Sequence, residues 1–318
     1  MQLATSSDGY SSVLMQGSGT FCVESVIGSA VPETGKLLVL ANGAYGQRLA
    51  QIARVLRIPT EVYDTGELLP PDPAQVDALL SGDKSITHVA MVHGETTTGM
   101  LNPIGPVGEV VRSRGKVFIV DAMSTFGGVP LDAEQGNIDF LISSANKCIQ
   151  GVPGFGFIIA RKNLLESCAG QVRSLSLDLF SQWKTMEEGR GKWRFTSPTH
   201  TVRAFAQALR ELAVEDGIAE RHKRYCENHR ILVSGMEEVG IECLLKPEYR
   251  SPIITAFRGS ASDQYDFKRF YDRLKERGFV IYPGKVTNIE TFRIGTIGHV
   301  FPDDFRRLIE VVRACRDW

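Results

Sequence analysis

Short runs of Val, Ile, Leu and Phe recur through the first half of the chain, at residues 13–16, 37–41, 61–63, 88–93, 117–121, 140–144 and 155–160. Several are apolar at almost every position rather than at alternate ones, as parallel strands covered on both faces are. Between them lie stretches with apolar residues at helical spacing, such as GQRLAQIARVLRI and GPVGEVVRSRGK. Alternation of this kind predicts an α/β sheet with crossover helices.

The texture changes after residue 199. THTVRAFAQALRELAVEDG places Val202, Phe205, Leu209 and Leu212 at helical spacing, and a more charged helical stretch continues to about Glu238. Strands are then expected in PIITAFRG, FVIYPGK and TFRIGTIG, with a helix in QYDFKRFYDRLKERG. The closing helix is expected in DDFRRLIEVVRACRDW, with Asp303 as its N-cap. These features divide the chain into a large domain, residues 1–199, and a small α+β domain with its linking helix, residues 200–318.

Composition narrows the function classes. Lys and Arg number 36 against 37 Asp and Glu. Such a balance gives no global field to draw nucleic acid or an anionic membrane. The six cysteines lie far apart, without a CxxC pair or a His/Cys cluster at metal spacing. Reduced thiols and no metal site are expected. No apolar run reaches transmembrane length, and MQLATSSDGY lacks the regions of a secretory signal, so a cytoplasmic protein is expected.

Chemistry gathers at strand ends, where ligands bind in open parallel sheets. SVLMQGSGTF reads as a strand, a small-residue turn and a helix starting near Thr20. The N–H groups of Ser18, Gly19 and Thr20 would then face an anion such as a phosphate. VFIVDAMSTFGG puts Asp121 at the end of one strand, and FLISSANK puts Lys147 just past the end of another. Each signal alone has an ordinary reading: a plain turn, a helix cap, a solvated lysine. Together, a phosphate cradle, an acid and a lysine describe a pyridoxal phosphate site. Lysine binds the cofactor covalently and the acid keeps its ring nitrogen protonated. Tyr45, in ANGAYGQR, is placed to stack on the ring.

The longer motifs QGSGTF, NGAYG, HGETTTGMLNPI, VDAMSTFGG, SSANKCIQGVPGFGF, GKWRFTSPTHT, FVIYPGK and FRIG run along essentially the whole chain. They resemble those of the class V, fold-type-I aminotransferases. The resemblance implies a mainly parallel seven-stranded sheet with helices on both faces and a small C-terminal α+β domain. It implies Lys147 and Asp121 as the catalytic pair, Thr96 near the cofactor's 3-hydroxyl, and the cofactor phosphate on Ser18, Gly19 and Thr20. Thr196 would reach the cofactor phosphate of a second subunit, so a homodimer with shared sites is implied. Arg293 would bind the carboxylate of the keto partner through a bidentate fork.

The implied reaction passes the amino group of 2-aminoethylphosphonate to pyruvate. Two alternatives stay open: an alanine- or serine–glyoxylate type of transamination, and a catalytically silent chain that serves as an interaction partner. Members of the family carry a further N-terminal segment, with a Pro-Gly-Pro stretch that helps line the site. On that ground the chain is expected to be a fragment, a misplaced start or a truncated form, with impaired substrate closure.

Overall fold

The computed structural model describes residues 1–318 except 261, 263, 285, 287, 317 and 318. The last residue of FVIYPGK, Lys285, and the final Asp317 and Trp318 therefore lie outside the described residues. Elements run in the order β1 (Tyr10–Gly17), α1 (Gly19–Ala30), β2 (Lys36–Ala41), α2 (Ala44–Val55), β3 (Thr60–Asp64), α3 (Pro73–Gly82) and β4 (Ile86–Val92). A small hairpin, β5 (Gly94–Glu95) and β6 (Met100–Leu101), precedes α4 (Ile104–Ser113), β7 (Val117–Asp121), β8 (Phe140–Ser144) and β9 (Gly154–Arg161). Next come α5 (Lys162–Ser167), α6 (Leu179–Glu188), α7 (Thr199–Val214) and α8 (Gly217–Glu238). The chain closes with β10 (Ile254–Arg258), α9 (Phe267–Glu276), β11 (Tyr282–Pro283), β12 (Thr291–Gly295) and α10 (Pro302–Cys315).

Seven strands form one sheet in the order β1-β9-β8-β7-β4-β2-β3. Only the pairings of β9, with β1 and with β8, are antiparallel. The near-continuous apolar runs have a direct cause, because successive side chains enter opposite cores. In β2, Leu38 and Leu40 join one cluster while Leu37 and Val39 join the other. In β7, Phe118 and Val120 divide from Ile119 in the same way. Helix α7 sends Val202, Phe205, Leu209 and Leu212 into the first of these clusters.

A third cluster, with Phe257, Phe270, Leu274, Phe292, Phe305 and Leu308 among its members, lies between α8, α9, α10 and the three-stranded sheet β10-β12-β11. Two expectations are corrected here. The strand in FVIYPGK shrinks to Tyr282–Pro283, since Pro283 has no N–H to donate and Gly284 breaks the pattern. Asp303 is not the N-cap of α10. The cap is Phe301, and Asp304 reaches back to accept its N–H at 2.9 Å. Proline at the first helical position moves the start two residues earlier than an N-cap at Asp303 would put it.

Candidate active site

The carboxyl ends of β1, β2, β4, β7 and β8 bring the expected residues together. Lys147 lies just past β8, exposed on a tight turn whose closing bond runs from the Gln150 N–H to the Lys147 carbonyl, 2.8 Å. It lines a cleft of about 530 Å³ together with Tyr45, Thr96, Ser124, Tyr282 and Arg293. Arg293 comes from β12, far along the chain, and is 6% exposed. Its Nη1 donates to the Thr96 carbonyl at 2.7 Å and its Nε to the Pro283 carbonyl at 3.1 Å. Among the described residues it forms no ion pair, so its charge is open to an anionic ligand. Burial lowers its affinity for its proton somewhat, against the pull of Tyr45, Tyr282 and Glu95, but a guanidinium remains charged.

Asp121 ends β7 and is 5% exposed. It faces a small second cavity shared with Thr20, Tyr45, Arg48 and Met123, so Tyr45 borders both spaces. One carboxylate oxygen accepts the Met123 N–H at 2.9 Å. No cation pairs with Asp121 among the described residues. Burial therefore pushes its carboxyl up to about 7; the nearby Glu95 charge adds to the push, and the Met123 N–H, Arg48 and Lys147 oppose it. A buried carboxylate without a counter-charge is a costly arrangement that a cationic N–H group would relieve.

Two helices begin at this edge and differ in one respect. At α2, Glu95 Oε2 accepts the N–H groups of Tyr45 and Gly46 at 3.1 Å each, and Thr97 Oγ1 accepts that of Ala44 at 3.1 Å. Glu95 Oε1 takes the Thr97 N–H and hydroxyl at 3.0 and 2.6 Å. The approach is so close that a Cβ on Gly43 would stand 2.5 Å from Glu95 Cδ. The N-terminus of α2 is thus filled from within the protein. Helix α1 instead starts at an exposed Ser18 whose side chain makes no cap. Gly19 packs against Met123, where a Cβ would lie 2.0 Å from the sulfur. This end of α1 keeps its positive dipole and its first N–H groups for an external anion.

The structure thus draws Lys147, Tyr45, Thr96 and Arg293 around one cleft, and Thr20 and Asp121 around the adjoining cavity, with Ser18 and Gly19 at the same helix end. Thr196 stands apart, exposed on the segment between α6 and α7. Glu95 and Ser124 sit within motifs read from the sequence but were not singled out there. An acid following an apolar strand in HGETTTG is the signal that could have found Glu95. His93, fully buried beside them, contacts Thr125 Oγ1 through Nδ1 at 2.9 Å, and burial lowers it to about 4, so it is neutral. Among the described residues no group of His, Cys, Asp and Glu could hold a metal ion.

A parallel-rich sheet with a lysine, a buried acid and an uncapped helix start at its carboxyl edge defines a cofactor-dependent transferase. The chain belongs to the class-V aminotransferase family, whose pattern matches residues 21–288. It is 60% identical over 311 residues to a 2-aminoethylphosphonate–pyruvate transaminase of Syntrophobacter fumaroxidans, covering 98% of this chain and 84% of that protein. It is 59% identical to the transaminase of the same name from Vibrio vulnificus, covering 100% of this chain and 87% of the relative. Among solved structures, it superposes on a ureidoglycine–glyoxylate aminotransferase of Bacillus subtilis with a TM-score of 0.88 at 22% identity, over 98% of this chain and 81% of the other. A pyridoxamine–pyruvate aminotransferase of Mesorhizobium loti gives 0.87 at 23% identity, over 96% and 80%. The cofactor of the family is pyridoxal 5′-phosphate. The site fits it in three places: an amine at the cleft, a buried acid lacking a cation, and an anion-ready helix end.

Proposed function

We propose that this chain transfers the amino group of 2-aminoethylphosphonate to pyruvate, giving phosphonoacetaldehyde and L-alanine. The observation that carries the reading is its 56–60% identity, over nearly the whole chain, to relatives of that name. The charges of the site suit it, because both substrates are anions and the cleft offers Arg293.

When bound, the cofactor supplies an electron sink for the pair left behind as the C–H bond of the amine-bearing carbon breaks. Lys147 would hold it covalently, the start of α1 at Ser18, Gly19 and Thr20 would hold its phosphate, and Tyr45 would cover its ring. Asp121 would keep a proton on the ring nitrogen, which in turn holds the carboxylate ionised. Thr96 would stand near the 3-hydroxyl. Lys147 Nζ would take the proton from the amine-bearing carbon and, in the second half-reaction, give one back to the carbon that becomes Cα of alanine. Arg293 orients the carboxylate of pyruvate with its planar fork.

We further propose a homodimer in which Thr196 of each copy reaches the other's phosphate site. The exposure of Thr196, with Phe21 49% and Phe195 52% exposed nearby in sequence to the site segments, supports a face that a second copy covers. No helix among the described residues is long and apolar enough to cross a membrane. We place the reaction in the cytoplasm, a reading supported by the six unpaired cysteines. We also take 1–199 and 200–318 as the cofactor-binding and smaller domains. The test is steady-state alanine formation from 2-aminoethylphosphonate and pyruvate, compared with alanine or serine as donor to glyoxylate. Preference for the glyoxylate pair would overturn the assignment.

A further inference from the structure

Lys147 and Arg293 come from segments distant in sequence, and a substrate that touches both requires their spacing to hold. A misplacement of about 1 Å can cost on the order of a hundredfold in rate. Helix α8 touches both segments. Arg221, 2% exposed, donates from Nη1 to the Cys148 carbonyl at 2.8 Å, directly after Lys147. One helical turn on, Tyr225 is fully buried, and its phenol oxygen accepts Gln150 Nε2 at 2.9 Å. Gln150 itself closes the lysine turn through its N–H and sits at φ +65°, a conformation that residues with a Cβ rarely adopt. Its side-chain anchor helps hold it there.

The second partner of the same phenol oxygen is the Gly298 N–H, 3.2 Å away, in the turn that leaves β12. From the same helix, Arg224 donates to the carbonyls of Gly298 and Val300 at 2.9 and 2.8 Å, and Asn228 to that of Val300 at 3.1 Å. Glu215 binds Arg221 and Arg224 at 2.7 Å each. Burial would raise the Glu215 carboxyl, but the two guanidiniums outweigh it and hold it below its ordinary value. The bracket therefore stays charged on both sides at neutral pH.

We propose that Tyr225 is a positioning residue whose phenol oxygen fixes the spacing of Lys147 and Arg293, resting on the roles given those two residues above. A phenylalanine would fill the same apolar space, but only the hydroxyl joins the two turns. The test is hydrogen–deuterium exchange on the cofactor-free full chain, which needs no substrate and so stands or falls separately from the transamination reading. Tyr225→Phe should speed exchange about five- to tenfold in both 145–151 and 296–300, the scale of one or two lost hydrogen bonds. Gln150→Ala, which leaves the core ring in place, should also loosen 296–300. In the loaded enzyme, each variant should lower kcat and raise KM for pyruvate, and the double variant should lose no more than the worse single. Faster exchange in only one of the two segments in Tyr225→Phe, no change at 296–300 in Gln150→Ala, or additive kinetic losses would overturn the proposal.

Discussion

Replacing Asp121 by Asn should stabilise the cofactor-free protein above neutral pH and weaken its hold on the cofactor. The carboxyl is buried without a cation and has moved from 3.8 to about 7. The sign follows from proton counting: between these two values the folded state binds more protons than the unfolded chain, so stability falls as pH rises. A gap of roughly three pH units, at about 1.4 kcal/mol each, costs about 4 kcal/mol once the pH exceeds 7. Asn keeps the shape and an oxygen for the Met123 N–H, whose favourable effect on the charged carboxylate is already contained in the shift to about 7. The net gain at pH 8 is therefore about 4 kcal/mol, vanishing near pH 4. Urea unfolding of both cofactor-free proteins from pH 4 to 9 measures it. Their difference cancels other titrating groups, including the buried neutral histidines. Added pyridoxal phosphate should then stabilise the natural protein by more than the variant, because only Asp121 offers a charge to the ring nitrogen. A constant difference across the pH range, or a variant less stable at pH 8, would show that the carboxylate is already neutralised within the protein.

Lys147→Ala should abolish turnover and the visible absorption of lysine-bound cofactor; borohydride reduction and peptide mapping of the natural protein should label Lys147 and no other lysine. Arg293→Lys replaces a fork with a point charge and should weaken pyruvate binding by about 1–3 kcal/mol, read as KM for pyruvate. Loss confined to 2-aminoethylphosphonate would make Arg293 the phosphonate clamp instead. Glu95→Gln cannot accept all four of its donors, the Tyr45 and Gly46 N–H groups at the start of α2 and the N–H and hydroxyl of Thr97, and chemical denaturation should show a loss of about 1–3 kcal/mol. The same change removes a negative charge that presses on Asp121, so the Asp121 carboxyl should titrate lower.

The large sheet was legible because a strand buried on both faces writes itself as an unbroken apolar run, as 117–121 and 140–144 do. The hairpin of Glu95 and Met100 was not, since two-residue strands carry no periodicity. Strand ends also announced Lys147 and Asp121, whose chemistry is out of place at the edge of an apolar sheet. Arg293 was named from FRIG by resemblance alone. Its arrival beside Thr96 depends on a hydrogen bond spanning 197 positions, which no local pattern encodes. Tyr225 was silent for the opposite reason: on a charged helix an aromatic residue reads as core packing, and only the partners of its oxygen show more.

The central claim is that this chain passes an amino group from 2-aminoethylphosphonate to pyruvate through the site at Lys147. A single-turnover experiment tests it most directly. Protein loaded with pyridoxal phosphate is mixed with 2-aminoethylphosphonate alone, desalted, and then given pyruvate. The account predicts loss of the visible absorption in the first step and one equivalent of phosphonoacetaldehyde released. Pyruvate should then restore the absorption and yield one equivalent of L-alanine. An absorption unmoved by 2-aminoethylphosphonate, while another amine discharges it and a keto acid restores it, would contradict the account.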